Sequence, residues 1–415
     1  MTEAFTANHQ RSRNSHPVGR PRLLVTTSTY PRWVNDPEPA FVHELCKRLV
    51  DRFDVAVLCP HADGALAEEQ FDGVSVYRYR YAPRSLETLV NDGGVLANLR
   101  RHPWKWLLVP GFLVGQWLSL YRLCRRWRPD LVHAHWLVPQ GVIAWLAVVR
   151  PLVVTSHGAD LFALKGHMFS ALRAKVARFA SAITVVSEVM RERLQQECPS
   201  ARTFVMPMGV DLWGRFREDA DTPRSANVIL AVGRLVEKKG LIYLIEAMPR
   251  VLEAYPQARL DIVGFGPERD ALVARTQQLG LTGTVRFLGA RPQAELPQHY
   301  RSAALFVAPF VEATGGDQEG LGLVVAEAVG CLCPILVGDV PAVHDLLDGE
   351  RNCVVPQRDA GALADAIVRV LRNPDAARSQ ALARQDVLRQ KFSWEAVADR
   401  YLELFEGLVR NGRPP

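Results

Sequence analysis

Two glutamates eight residues apart, Glu319 and Glu327, flank a glycine-rich apolar segment of this chain. If a helix begins near Gly322, Glu319 lies on the loop before it and Glu327 about a turn and a half inside it. Both carboxylates then face one cleft, beside the positive end of the helix dipole. Just upstream, Gly315 and Gly316 form a loop whose backbone N–H groups are expected to approach a phosphate closely. The pattern predicts a site for a phosphorylated ligand.

A cationic segment follows an apolar run earlier in the chain. Gly233 and Arg234 come directly after the run, and Lys239 and Gly240 precede a helical pattern. Arginine offers a bidentate fork and lysine a point charge, a combination suited to gripping a diphosphate. Taken alone, two such cations are more often solvated loop charges, and their spacing together with the glutamate pair downstream favours the diphosphate.

A third group of polar residues follows another apolar run, residues 152–156. His157, Gly158 and Asp160 lie directly after it, and ligands of parallel sheets bind at the carboxyl ends of strands. A lone histidine is more often a satisfied hydrogen-bonding residue than a catalytic one. The long loop after the first predicted strand, which contains Arg32, exceeds the usual length of such connections and indicates function.

Together these motifs resemble those of family-4 glycosyltransferases, the retaining nucleotide-sugar enzymes of the GT-B fold, in their bacterial polysaccharide-assembling form. The resemblance covers about residues 24–340, and its specific part is Glu-x7-Glu combined with Gly-Arg-x4-Lys-Gly. The chain departs from the pattern at Pro37 and Pro39, where the family often has glycines near the donor phosphates. The resemblance implies catalytic roles for His157 and Glu319, donor-diphosphate binding by Arg234, Lys239, Gly315 and Gly316, ribose binding by Glu327, a nucleotide pocket with Gly264, Gly266, Phe287 and Leu288, and acceptor-side positions at Asp160 and Arg32.

Apolar runs alternate with helical periodicity along the chain, as in parallel α/β units. We therefore predict an α/β protein, and the resemblance implies the GT-B form: two Rossmann-like doubly wound domains facing an interdomain cleft, with a C-terminal helix crossing back to the N-terminal domain. The predicted strands are 22–26, 55–58, 74–79, 131–133, 152–156, 182–186, 204–206, 228–232, 259–263, 285–288, 305–308 and 335–337. The predicted divisions are a disordered N-terminal tail at 1–20, an acceptor-side domain at 21–214, a linker at 215–225, a nucleotide-sugar-binding domain at 226–390, and a C-terminal helix and tail at 391–415.

Composition narrows the class of protein. The net charge of +6 suits polyanionic small ligands or an anionic membrane surface as readily as nucleic acid, and the resemblance implies no nucleic acid partner. Seven scattered cysteines without a Cys-x-x-Cys pair favour a reducing cytosol over zinc or disulfides. Residues 1–20 are polar and basic, so we expect no signal peptide. A cytoplasmic location, at or near the inner face of the membrane, is predicted.

Residues 100–128 combine basic side chains with tryptophans, which suits peripheral contact with an anionic bilayer. The alternative is a buried helix with a solvated basic end. The uncharged runs 106–121 and 135–149 are shorter than the roughly 18 residues that a spanning helix needs. If the membrane interpretation holds, the acceptor is a lipid-linked saccharide on the cytoplasmic leaflet.

No metal site is predicted. His133 and His135 follow an apolar run without a third ligand nearby, and the one Asp-x-Asp sequence, at residues 219–221, lies in the predicted linker. The resemblance implies a UDP- or GDP-sugar as donor substrate, no cofactor, and a saccharide or lipid-linked acceptor. A sugar-nucleotide epimerase of the same fold and a non-catalytic nucleotide-sugar-binding protein remain alternatives. A dehydrogenase is disfavoured because no Gly-x-Gly-x-x-Gly follows the first predicted strand.

Overall fold

The computed structural model describes residues 19–34, 36, 38–91 and 94–412. Residues 1–18 of the predicted tail, Pro37, and the last three residues lie outside this range. The first half of the chain forms an eight-stranded sheet with the order β3-β4-β2-β1-β5-β6-β7-β8. Its strands are β1 (Arg22–Thr26), β2 (Asp54–Pro60), β3 (Glu68–Phe71), β4 (Val74–Tyr79), β5 (Leu131–His135), β6 (Leu152–Ser156), β7 (Ala182–Val185) and β8 (Thr203–Val205).

All strand pairs of this sheet are parallel except β3 with β4. The central strands are apolar and buried over nearly their whole length because helices cover both faces of the sheet. These helices are α1 (Phe41–Leu49), α2 (Val95–Arg101), α3 (Val109–Trp127), α4 (Val142–Leu146), α5 (Ala159–Phe162), α6 (His167–Phe179) and α7 (Glu188–Glu197). The sheet order reverses at β1 and β5, which directs the loops after these strands into one crevice.

The second half forms a six-stranded parallel sheet with the order β11-β10-β9-β12-β13-β14. Its strands are β9 (Val228–Val232), β10 (Arg259–Val263), β11 (Val285–Gly289), β12 (Leu305–Ala308), β13 (Ile335–Gly338) and β14 (Val354–Val355). Its helices are α8 (Leu241–Ala254), α9 (Arg269–Gln278), α10 (Leu296–Ser302), α11 (Leu323–Gly330), α12 (Pro341–Leu347), α13 (Ala360–Arg372) and α14 (Pro374–Phe392). In this sheet the strand order reverses between β9 and β12. The segment with Arg234 and Lys239 follows β9, and the glutamate pair follows β12. The two predicted parallel α/β domains are confirmed.

The last helix, α15 (Trp394–Gly412), returns to the first domain as predicted. Trp394, Tyr401 and Phe405 join Leu23 and Leu45 in one buried cluster. Burying each large side chain contributes roughly 1.5–3 kcal/mol, so the helix joins the two halves strongly. The Tyr401 hydroxyl also lies 3.3 Å from the hydroxyls of two threonines in β6 and β7, which satisfies its polar atom inside the core.

The segment predicted as the linker lies against the second domain. Arg301 of α10 donates to the carbonyl oxygens of Arg217 at 2.7 Å and Arg215 at 3.1 Å. The Arg215 guanidinium in turn donates to Gln293 at 2.7 Å. These contacts hold residues 215–217 on the second domain, while the exact domain boundaries stay predictions.

One helical stretch in the described part of the chain, Pro103–Trp127, meets the length and apolarity that a membrane crossing requires. It consists of a short 3₁₀ turn, Pro103–Leu108, continued by α3. The uncharged run 106–121 is therefore part of a longer helical stretch, which extends beyond the uncharged residues at both ends. Only 22% of its most apolar 18-residue window is buried, so much of that window faces solvent.

Aromatic and aliphatic side chains project from this stretch. Trp104, Trp106 and Leu107 are 49%, 60% and 83% exposed. Lys105 is one of the basic residues of the predicted membrane-contact segment 100–128, but it is buried and its ammonium donates to the Thr88 carbonyl oxygen at 2.8 Å. A buried ammonium needs such acceptors, so Lys105 holds the turn to the domain.

Candidate functional site

The cationic loop after β9 runs side by side with the loop after β10. A Cβ on Gly264 would overlap the carbonyl oxygen of Gly233, and one on Gly266 would overlap that of Leu235. Only glycine permits this close approach, and the N–H of Leu235 donates to the Phe265 carbonyl oxygen at 2.9 Å. Gly264 and Gly266 therefore fix the position of the loop that carries Arg234. Their predicted place in a nucleotide pocket, with the half-buried Phe287 and Leu288 of the neighbouring β11, stays a prediction.

Lys239 and Glu319 form an ion pair at 2.7 Å, with side chains only 13% and 15% exposed. The Lys239 ammonium also lies 4.6 Å from the centre of the Phe310 ring. Burial alone would raise the pKa of Glu319, but the charges of Lys239 and Lys238 and a hydrogen bond from the Gly322 N–H lower it below its usual value. Glu319 is therefore ionised, and it holds Lys239 in place.

Arg234 faces the cleft without a direct hydrogen-bond partner in the described part of the chain. Burial lowers the pKa of its guanidinium, while the carboxylates of Asp317 and Glu38 act in the opposite direction. The guanidinium remains charged because its ordinary pKa is so high. Asp317 belongs to the second domain and Glu38 to the loop after β1, so Arg234 lies between the two domains and can accept an anion there.

The loop before α11 is fastened to the cationic loop. Glu237 accepts hydrogen bonds from the Thr314 N–H at 2.7 Å and hydroxyl at 2.6 Å. The Gly316 N–H donates to the Ala313 carbonyl oxygen at 2.6 Å, inside a tight turn. The turn uses that donor in this structure, and the predicted phosphate contact of Gly316 stays a prediction. Gly315 stays a predicted phosphate contact.

Glu327 lies inside α11, as the predicted helix start near Gly322 requires, and is 7% exposed. The Tyr300 hydroxyl donates to its carboxylate at 2.9 Å. Burial raises the pKa of Glu327 to about 7, although Tyr300, Gln293 and the charge of Arg215 oppose this shift. Tyr300 was not predictable from the sequence, because a buried tyrosine on another helix leaves no local pattern. Ribose binding by Glu327 stays a prediction.

The raised pKa of Glu327 makes the stability of the empty protein depend on pH. A carboxyl whose pKa is higher in the folded protein than in the unfolded one binds its proton more tightly after folding. This stabilises the folded protein, fully at pH values below the unfolded pKa, and the contribution is lost as the pH rises through about 7. We therefore expect Glu327→Gln to be more stable than the wild type at pH 8 and to unfold at a higher temperature. The expected gain in the free energy of unfolding is of the order of 3 kcal/mol at most. The gain should shrink at pH 5. Thermal melts at both pH values check this, and equal gains at the two values would contradict it.

Across the cleft, the first domain presents His157 directly after β6. A Cβ on Gly320, the residue after Glu319, would lie 3.0 Å from the His157 carbonyl oxygen. The backbone of Gly158 also closely approaches Gly320. The structure thus brings His157 and the Glu319 loop together, which the sequence could suggest only through the family resemblance.

The His157 ring is enclosed by aromatic neighbours. The ring centres of Phe41 and Trp136 lie 4.9 Å and 5.0 Å away. Nε2 of His157 lies 2.9 Å from Nδ1 of His135, the last residue of β5. Because of this burial, the pKa of His157 falls to about 3, so the ring is neutral at physiological pH. His133 and His135 lie inside β5 and not after it, which corrects their predicted position.

Asp160 and Arg32 support the first-domain side of the cleft. The Asp160 carboxylate is buried and accepts hydrogen bonds from the Leu137 N–H at 2.6 Å and the Ser156 hydroxyl at 2.7 Å. Arg32 donates through its guanidinium to Asp36 at 2.8 Å and 2.7 Å. In this geometry Asp160 holds the loops after β5 and β6 in place, while the acceptor-side roles of Asp160 and Arg32 stay predictions.

Two family models match the chain, one for each domain. The first domain matches "Glycosyltransferase Family 4" over residues 40–213, and the second matches "Glycosyl transferases group 1" over residues 226–373. His157 lies within the first matched region, and Arg234, Lys239, Glu319 and Glu327 lie within the second.

Several curated relatives are similar in sequence to more than half of this chain. The phosphatidyl-myo-inositol mannosyltransferase of Mycobacterium leprae is 31% identical over 304 residues, covering 71% of this chain and 79% of that protein. The GDP-mannose-dependent alpha-(1-6)-phosphatidylinositol monomannoside mannosyltransferase of Mycolicibacterium smegmatis is also 31% identical, covering 64% and 73%. Glycogen synthase of Mycobacterium tuberculosis is 28% identical and covers 95% and 96%.

Solved structures share the fold. Sucrose-phosphate synthase from Thermosynechococcus elongatus has a TM-score of 0.77 at 21% identity, covering 94% of this chain and all of that one. Anabaena HepE in complex with UDP-glucose has a TM-score of 0.71 at 19% identity, covering 93% of this chain and all of that one. At these identities the likeness establishes the two-domain architecture.

Proposed function

The chain belongs to glycosyltransferase family 4, and we propose that it moves a sugar from a nucleoside-diphosphate sugar to a saccharide or lipid-linked saccharide with retention of anomeric configuration. The observation that carries the proposal is the meeting of three groups in one cleft. Arg234 and the Lys239–Glu319 pair come from the second domain, and the backbone of His157 in the first domain meets the loop that carries Glu319. Cations beside an ionised carboxylate suit a diphosphate leaving group joined to a sugar.

The charges of the cleft match the charges of the reaction. When the anomeric C–O bond breaks, negative charge grows on the diphosphate and positive charge on the sugar ring. Arg234 and Lys239 stabilise the first, because fixed cations placed beside the diphosphate favour the charge that develops on it. The ionised Glu319 lies 2.7 Å from Lys239 and thus beside the expected bond, where it positions the sugar and favours its developing positive charge.

We propose that the anomeric configuration is retained because the acceptor attacks the sugar from the same face that the diphosphate leaves. Glu319 is engaged by Lys239, which disfavours it as a covalent nucleophile of the glycosidase type. The acceptor oxygen then attacks on the face that the diphosphate leaves, and the diphosphate oxygen takes up its proton. The anomeric configuration of the product, read by NMR, checks this step, and an inverted product would contradict it.

The donor is proposed to be a UDP- or GDP-sugar. Of the relatives, one is named for GDP-mannose and another was crystallised with UDP-glucose. The test is a panel of UDP-, GDP- and ADP-sugars incubated with the protein and a membrane extract, with transfer and donor hydrolysis both measured. Sugar release from a UDP- or GDP-sugar supports the proposal. Epimerised donor without transfer would show that the cleft serves a different reaction.

We also propose that transfer is independent of divalent metal, because Arg234 and Lys239 supply the cations that a metal would otherwise provide. The Asp219 carboxylate of the Asp-x-Asp sequence accepts a hydrogen bond from Thr222 at 2.7 Å and lies on the exposed predicted linker. EDTA is expected to leave at least about half of the activity. Complete loss that Mg²⁺ or Mn²⁺ restores would contradict the proposal.

The exposed face of Pro103–Trp127 is proposed to bind an anionic bilayer, which places the protein at the cytoplasmic membrane surface with a lipid-linked acceptor and a role in cell-surface polysaccharide synthesis. Trp106 and Leu107 are exposed, and the exposed cations Arg100 and Arg101 precede them in the sequence while the exposed Arg122 follows on α3. Apolar side chains insert at the headgroup level while the cations meet anionic lipids.

Replacing Trp106 and Leu107 together by serine is expected to weaken binding to anionic vesicles by about tenfold or more, because each buried side chain contributes roughly 1.5–3 kcal/mol. Vesicle co-sedimentation measures this effect. Leu382→Ser, at a 53% exposed leucine of the second domain, is the matched control and should bind as the wild type does. Equal binding by all three proteins would remove this face from the membrane contact.

A further inference from the structure

The contact between His135 and His157 ties the protonation of one ring to that of the other. Their facing nitrogens, Nδ1 of His135 and Nε2 of His157, are 2.9 Å apart, and the ring planes differ by only 9°. His135 is completely buried. A hydrogen bond between two neutral imidazoles contains one proton, so the tautomer of either ring decides that of its neighbour.

Both rings are neutral at physiological pH. Burial lowers the pKa of His157 to about 3, and burial together with the neighbouring histidines holds the pKa of His135 well below its usual value. Each ring therefore carries one proton, on Nδ1 or on Nε2. Two arrangements remain, with both rings protonated on Nε2 or both on Nδ1.

The surroundings of His135 favour the second arrangement. Nε2 of His135 is buried and has no hydrogen-bond partner in the described part of the chain. A proton there would be a buried N–H donor without an acceptor, which is rarer in proteins than an acceptor without a donor. Nδ1 of His157 makes no hydrogen bond to the described residues either, but His157 as a whole residue is only half-buried. A proton on this nitrogen can therefore be donated to a bound ligand or to water.

We propose that His135 is a positioning residue, whose Nδ1–H donates to Nε2 of His157 and thereby holds His157 as a neutral donor with its own Nδ1–H directed at an oxygen of the substrate sugar. His157 then contributes a hydrogen bond and does not accept a proton. The proposal rests on the proposed function for its substrate, whereas the proton positions belong to the protein alone.

The tautomer is tested in the wild-type protein without substrate. Long-range ¹H–¹⁵N correlation spectra of protein labelled with ¹⁵N-histidine distinguish a ring protonated on Nδ1 from one protonated on Nε2. The signal of His157 is assigned by its loss in His157→Gln. A proton on Nδ1 is the expected result, and a proton on Nε2 overturns the proposal. Because this measurement needs no transfer, a failure of the proposed function leaves its outcome intact.

The kinetic test compares two substitutions of His135. His135→Asn keeps an amide N–H near the position of Nδ1, and His135→Leu removes every donor. We expect the leucine variant to lose turnover by about tenfold or more with unchanged nucleoside-diphosphate affinity, and the asparagine variant to restore most of it. Wild-type turnover in the leucine variant, or an equal loss in both variants, would contradict the positioning role.

A matched control separates this effect from general loss of a buried histidine. His43 in α1 is 4% exposed and bonded through both ring nitrogens, to Tyr30 at 2.7 Å and Asp72 at 2.9 Å, without touching His157. His43→Leu is expected to lower the melting temperature but to keep turnover at low temperature. If His43→Leu lost turnover as His135→Leu does, the effect would be one of folding, and the positioning role would be refuted.

Discussion

Replacing Glu319 by glutamine is expected to lower turnover by about a hundredfold or more while leaving the affinity for nucleoside diphosphate unchanged or improved. The glutamine keeps the shape of the side chain but loses the charge that meets the developing positive charge on the sugar. It also releases Lys239 from its 2.7 Å ion pair, so the lysine meets the diphosphate without a competing carboxylate. Turnover and calorimetric affinity for the free nucleoside diphosphate are measured on the same protein.

Glu327→Gln is the comparison for this prediction, because it changes the same chemical group eight residues along the chain. Glu327 is expected to bind the ribose, so its variant should weaken the binding of the donor and of the free nucleoside diphosphate alike. Reversed results, with affinity lost in Glu319→Gln and kept in Glu327→Gln, would exchange the two roles. If neither variant changed either quantity, the assignment of the glutamate pair would fail.

Replacing Arg234 or Lys239 by alanine is expected to reduce donor binding and transfer by tenfold or more. Each substitution removes a charge-assisted contact worth roughly 1.5–3 kcal/mol. Lys239→Ala also leaves the Glu319 carboxylate buried without its cation, which adds a loss of stability because an unpaired buried charge is costly. Donor kinetics and thermal melts together measure the two effects.

Arg234→Lys is the control for the arginine substitution. It keeps the positive charge but loses the planar fork that binds two oxygens at once. An intermediate loss, between wild type and Arg234→Ala, is expected because charge and geometry both contribute. If both alanine variants showed wild-type donor kinetics, the assignment of Arg234 and Lys239 to the diphosphate site would be wrong.

The alternation of apolar runs with helical patterns in the sequence was sufficient to predict the main strands of both domains. The strands β1, β6, β9 and β10 begin and end as predicted, because strands buried on both faces are mostly apolar. It missed β3, whose sequence Glu-Glu-Gln-Phe belongs to an exposed antiparallel edge and has no apolar run. It also missed β14, which has only two residues.

The candidate site was predictable where its residues are close in sequence. Glu319 lies before α11 and Glu327 within it, because Gly322 in a left-handed conformation begins the helix between them. Contacts made across the fold left no such local signal. Tyr300 reaches Glu327 from another helix, and His135 reaches His157 from the neighbouring strand. The tight turn that takes up the Gly316 N–H also left no local signal, because the hydrogen bonds of a turn depend on backbone conformation, which the residue types alone do not specify.

Calorimetric titration of the wild-type protein and of the Arg234→Ala/Lys239→Ala double variant with UDP, GDP and ADP tests the central claim most directly. The claim is that a nucleoside diphosphate binds in the cleft between these cations and the Glu319 loop. We expect the wild type to bind UDP or GDP, and the double variant to bind the same nucleotide at least about a hundredfold more weakly, because two charge-assisted contacts are lost. Equal affinity in the two proteins, or no binding of any of the three nucleotides to the wild type, would contradict the account.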